Sequence, residues 1–86
     1  MFRTEFEYYI NRIGAYKIEF EYYINRIGGD KICDTAFGIE FSIDGIIGKI
    51  EKLKYGYYIN FNGVREHGAK RTILNVLESH RNSISL

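Results

Sequence analysis

The sequence predicts an α+β domain: an antiparallel meander of about four strands, covered on one face by a C-terminal helix. Three observations lead there. Fourteen isoleucines, eight tyrosines and six phenylalanines crowd a chain of 86 residues, and β-branched and aromatic side chains favour half-buried strands. From residue 33 onward apolar and polar residues alternate, the period of a strand with one buried face. After residue 68 the period changes to that of an amphipathic helix.

The first element is the hardest to read because it is duplicated. Glu5 to Gly14 recurs unchanged as Glu19 to Gly28, and Lys17-Ile18 returns as Lys31-Ile32, so residues 5–18 and 19–32 are tandem copies. Ten consecutive identities mark a recent or engineered event. Fourteen residues are seven pleats of a strand and also two heptads of a helix, so side-chain facing survives in either form. Folded as strands about Ala15, Ile10 faces Phe20, Tyr8 faces Tyr22 and Phe6 faces Ile24 on an apolar side. Asn11 then meets Glu19, Tyr9 meets Glu21 and Glu7 meets Tyr23 on the other. Wound as a helix, Phe2, Phe6, Tyr9, Ile13, Tyr16, Phe20, Tyr23 and Ile27 form a heptad stripe. Gly14 in mid-run, the Tyr-Tyr-Ile clusters and the lack of an N-cap better than Thr4 weigh against the helix. Strands are the preferred reading. The alternative is a long N-terminal helix, three strands and the C-terminal helix.

Residues 33–43 come next as a strand, with Phe37, Ile39, Phe41 and Ile43 inward and Asp34, Gly38, Glu40 and Ser42 outward. Gly28 to Lys31 is its entry loop. A looser connection over 44–52 leads to Leu53, Tyr55, Tyr57, Ile59 and Phe61, again inward. Asn62-Gly63 is the best hairpin signal, since a type I′ turn needs positive φ at both central positions. Val64 to Glu66 adds a short edge strand. The helix is expected over 69–81, with Ile73, Leu74, Val76 and Leu77 against the sheet, His80 and Arg81 at the negative end of its dipole, and Asn82 as its stop.

Composition sets the class. Eighty-six residues hold a single domain, 1–86. A hydrophobic content of 45% with net charge +1 excludes a disordered chain. The lone Cys33 makes no internal disulfide and fits a reducing, cytoplasmic compartment. No apolar run reaches membrane-span length, and Met1 to Glu5 lacks the apolar core of a signal peptide. Phe, Tyr, Met, Ile, Asn and Lys, with A/T-rich codons, supply 41 residues, which suggests a low-GC source such as a phage or mobile element.

Catalytic chemistry finds little to work with. Cys33 has only His67 and His80 as bases and no local dyad. Glu5/Glu7 and Glu19/Glu21, two apart on a strand face, read as solvated glutamates rather than a metal or proton-sharing pair. The glycines have no phosphate-loop or dinucleotide spacing, and no Cys/His set has zinc spacing. No enzyme, cofactor or metal site is expected.

Two surfaces remain. Glu5, Glu7, Tyr9, Glu19, Glu21 and Tyr23 would form an acidic, aromatic face suited to a protein partner. The expected function is therefore a non-catalytic protein-binding module, in its narrower form a phage-type inhibitor of a host protein, such as an anti-CRISPR-like anti-defence factor. Residues 1–48 carry −3 and residues 49–86 carry +4. Within the basic half, Lys70 and Arg71 open the helix near Arg65 and His67, with Lys52 and Lys54 able to extend the patch. Cations beside free amide N–H groups suit phosphate, and the alternative function is binding of DNA or double-stranded RNA. In element order, a helix, three strands and a helix with a basic start is similar to the double-stranded-RNA-binding fold, and three strands followed by a helix resembles the plant-type and integrase-arm DNA-binding domains. A third expectation is self-association through the edge of a duplicated strand.

Overall fold

In the computed structural model the backbone is described for residues 5–84 and the side chains for 12–83. The order is α1 (Glu5–Arg26), β1 (Asp30–Asp34), β2 (Gly38–Ile43), β3 (Ile46–Lys52), β4 (Tyr57–Phe61), β5 (Val64–Gly68) and α2 (Lys70–Ile84). The five strands form one antiparallel sheet in chain order. Both helices lie on the same face, α1 over β1–β3 and α2 over β4 and β5. The antiparallel meander and the C-terminal cover are as the sequence predicts.

The N-terminal strands are not. Residues 5–26 are one helix, so the alternative reading holds for this segment, and five strands come after it rather than three. Two residues decide between the periods. The strand register would place Ile18 and Tyr22 inside, but they are 73% and 58% exposed. The heptad stripe is what the core receives: Phe20 and Ile24 are fully buried, with Tyr16, Tyr23 and Ile27 packed beside them. Gly14, the chief objection to a helix, faces open space. It therefore costs only the helical propensity of one glycine, about 1 kcal/mol, against several buried large side chains. Because residues 5–18 are helical, the first copy adds no strand to the sheet, whose edges are β1 and β5.

The remaining elements shift more modestly. The expected single strand 33–43 is divided by Thr35–Phe37 into β1 and β2, and β1 carries a bulge between Lys31 and Cys33. The connection over 44–52 is in fact a second hairpin: Asp44 and Gly45 have φ of 55° and 79°, and β3 begins at once. Asn62 and Gly63, at 52° and 81°, make the expected one. Tyr55 lies in the β3–β4 loop and is exposed rather than inward. The C-terminal helix runs three residues past 81, through Asn82.

Cross-strand register places Ile39, Ile50 and Ile59 in one inward row and Phe41, Gly48 and Phe61 in the next. Gly48 has no side chain because the two rings occupy its place: a Cβ there would lie 2.6 Å from Phe41 and 2.8 Å from Phe61. The rings meet over it, centroids 5.4 Å apart. From α2, Ile73 and Leu77 complete the core.

Candidate protein-binding surface

A helix turns 100° per residue, so Glu19 and Glu21 point in different directions and the acidic strand face does not form. Each has its own partner. Glu19 reaches the start of α2, where Lys70 Nζ lies 2.7 Å from its Oε1. The Tyr23 hydroxyl, one turn along α1, donates to the same oxygen at 2.6 Å. These contacts, Lys70 first and Tyr23 second, hold the Glu19 carboxyl below its ordinary range, and Lys70 is raised in return. Partial burial and then the Glu19 bond push Tyr23 up. The carboxylate also brings negative charge to the amino end of α2, whose first turn has no acid of its own. Glu21 pairs instead with Lys31 of β1 at 3.5 Å. Glu5, Glu7 and Tyr9 have side chains outside the described residues.

The residues set aside for nucleic acid are divided between two faces. Lys70 is engaged by Glu19 on the helix side. Lys52 is there too, its Nζ 5.4 Å and 5.2 Å from the ring centres of Tyr16 and Tyr57 and donating to the Leu53 carbonyl at 2.5 Å. Burial, then the charge of Arg12, lowers its pKa. Lys54 lies over the exposed Tyr55 ring, and Arg71 pairs with Glu78 at 3.7 Å. Arg65 and His67 belong to β5, opposite Asn60 and Tyr58 on the sheet face that no helix covers. His67 Nε2 is 3.0 Å from the Tyr55 carbonyl. The structure thus splits the set, with Lys52 and Lys70 near Tyr57 on the helix side and Arg65 and His67 on the outer face.

That outer face has a composition the sequence reading missed. One row runs Cys33, Glu40, Lys49, Asn60, Arg65 and another Glu51, Tyr58, His67. Ile47, 66% exposed, stands beside them. Acids and bases are mixed on it, Glu40 and Glu51 beside Lys49 and Arg65, which suits neither a phosphate backbone nor an acidic mimic. Asp44-Gly45 was the signal: read as a type I′ turn, it fixes the register of β3 and so which residues face out. Cys33 is exposed, its thiol 3.7 Å from Glu40 and raised by desolvation and then by that carboxylate, the opposite of an activated nucleophile. Among the described residues no group of three His, Cys, Asp or Glu is placed to hold a metal, and no helix is long and apolar enough to cross a membrane.

The duplicated segment is also used inside the fold. Residues 19–28 dock on the sheet through Phe20, Ile24 and Ile27 and reach across to α2 through Glu19. The helix continues toward its amino end, where Ile13 of the first copy is still buried and the charge of Arg12 reaches Lys52. Twenty-two helical residues span about 33 Å, and the molecule is 56 Å long against 22 Å and 18 Å across. The first copy, residues 5–14, starts two heptads, about 21 Å, before the second along the same axis. No family model, curated protein or solved structure matches the chain.

Proposed function

We propose that this chain is a non-catalytic protein-binding module, and that it engages its partner through residues 5–14 presented as helix. One observation supports the reading: the same ten residues, at 19–28, already work as a docking segment on an apolar sheet. An amphipathic helix laid in an apolar groove is a recurrent recognition mode. The partner surface has the chemistry of that sheet, a β-branched and aromatic groove for Phe6 and Ile10 with a cation at its rim for Glu5. An inhibitor of a host protein, of the kind phages and mobile elements encode, is the narrower form of this reading and draws only on the A/T-coded composition. A cytoplasmic setting belongs with it.

The test compares three immobilised proteins: the unaltered chain, Phe6→Asp/Ile10→Asp, and Arg65→Glu/His67→Glu on the outer face. A partner captured by the first and third and lost by the second is the expected result, with direct binding then measured on the purified partner. Equal capture by all three contradicts docking through residues 5–14. In parallel, anisotropy of labelled double-stranded DNA and RNA is read at low and near-physiological salt. Tight binding that falls steeply with salt and is lost in Arg65→Glu/Arg71→Glu would establish the nucleic-acid alternative instead.

A further inference from the structure

We infer that the two copies of the duplicated segment are interchangeable occupants of one groove, so that the core can be closed by residues 5–14 as well as by residues 19–28. This does not depend on whether a partner binds. The groove is the inner face of β1–β3 together with the amino end of α2. What it reads in α1 lies almost entirely within the duplicated stretch. Phe20, Tyr23, Ile24 and Ile27 supply the apolar contacts, and Phe6, Tyr9, Ile10 and Ile13 stand fourteen residues before them. Glu19, which takes Lys70, has Glu5 as its counterpart. Tyr16, packed edge-on to Tyr57 with ring centres 6.1 Å apart, has Phe2, which keeps the ring.

The exit from the groove is duplicated as well. α1 ends in a Schellman motif: Gly28 has φ of 87°, its N–H donates to Asn25 O at 3.2 Å, and the Gly29 N–H donates to Ile24 O at 2.9 Å. Gly14 repeats Gly28, so the first copy carries its own stop. With that copy seated, residues 16–29 become a fourteen-residue linker to β1, long enough to leave and return without strain. Its closure cost grows only slowly with length.

One position is not equivalent, and it makes the inference testable. Gly29 is buried, and a Cβ there would lie 2.5 Å from Ile43 Cγ1 and 2.7 Å from the Ser42 carbonyl. Its counterpart is Ala15, whose methyl group disfavours the exchanged seating. The arrangement with residues 19–28 seated therefore predominates, and Ala15→Gly should have opposite signs in the two seatings.

The experiment uses the full chain and urea unfolding monitored by circular dichroism. Phe20→Asp/Ile24→Asp is expected to keep a cooperative transition at a lower midpoint, and the quadruple variant that adds Phe6→Asp/Ile10→Asp to lose it. Ala15→Gly should lower the midpoint of the unaltered chain, where position 15 is mid-helix, and raise it in Phe20→Asp/Ile24→Asp. A midpoint independent of protein concentration fits exchange within one chain. Loss of the transition already in Phe20→Asp/Ile24→Asp, a fall on Ala15→Gly in both backgrounds, or a midpoint that rises with concentration would each overturn it, the last assigning the seat to a second chain.

Discussion

The tetrapeptide Asn-Arg-Ile-Gly occurs twice in this molecule, at 11–14 and at 25–28, with opposite results. In the first place the helix runs straight through Gly14, which faces open space. In the second the helix ends, Gly28 turns left-handed, and two N–H groups close the terminus. Since the ten residues ending at each glycine are the same, the cause lies after it. Ala15-Tyr16-Lys17-Ile18 offers a good helix former and an aromatic residue that packs on Tyr57. Gly29-Asp30 offers a residue without Cβ where β2 leaves no room for one, and then the first residue of β1. A helix stop in a sequence is thus an option, and the packing of the next few residues decides whether it is taken.

Three measurements would break or sharpen that comparison. The largest effect belongs to Gly29→Ala, where a methyl group is forced against backbone as well as side chain. A loss of about 3 kcal/mol is expected from overpacking of this kind, read as a drop in urea midpoint, and a neutral result would remove the packing explanation. Next come the paired glycines. Gly28→Ala should cost about 1–2 kcal/mol because an alanine resists positive φ. Gly14→Ala should stabilise by roughly 0.5–1 kcal/mol as an exposed mid-helix replacement. Thermal unfolding of the two variants tests whether the signs differ; shifts in the same direction would mean the two sites are not in different conformations.

The smallest effect concerns Glu19, present as Glu5 in the other copy. Its carboxyl is held low by Lys70 and Tyr23, so its contribution is complete above the ordinary carboxylate range and fades as pH falls through the depressed value. Lys70 is raised, so its share is present below the ordinary lysine range and fades as pH rises through the elevated value. The pair is a third or more exposed, which limits the contribution to roughly 0.5–1 kcal/mol. Glu19→Gln should flatten stability against pH on both limbs. An unchanged profile would show the contact to be energetically empty.

Legibility in the sequence divides in the same way. Where period 2 had no competitor, as over Ile39, Phe41 and Ile43 or Ile59 and Phe61, facing was legible and the core residues were right. Asn62-Gly63 was legible because few turns want that pair. Residues 5–26 were not, since a fourteen-residue repeat satisfies both periods and only tertiary cover separates them. The hairpin at Asp44-Gly45 carries a legible turn pair too, and a loose connection over 44–52 in its place hides the outer face of β3. The acidic surface failed with the period: glutamates two apart share a strand face but not a helix face. That Lys70 is answered by Glu19 could not be read at all, because the two lie 51 positions apart and no local rule joins them.

The meander has a consequence for how the chain reaches this state. Each strand pairs only with its neighbour in sequence, and two of the four connections are two-residue turns, so the sheet forms without long loop closures and at the fast end for β structure. α1 is different. It leaves the ribosome before the sheet does, yet Phe20 and Ile24 find their cover only when β2 and β3 exist. During synthesis an apolar helical stripe therefore waits for at least the 25 positions from Tyr16 to Phe41, and an element made before the sheet is secured only after it.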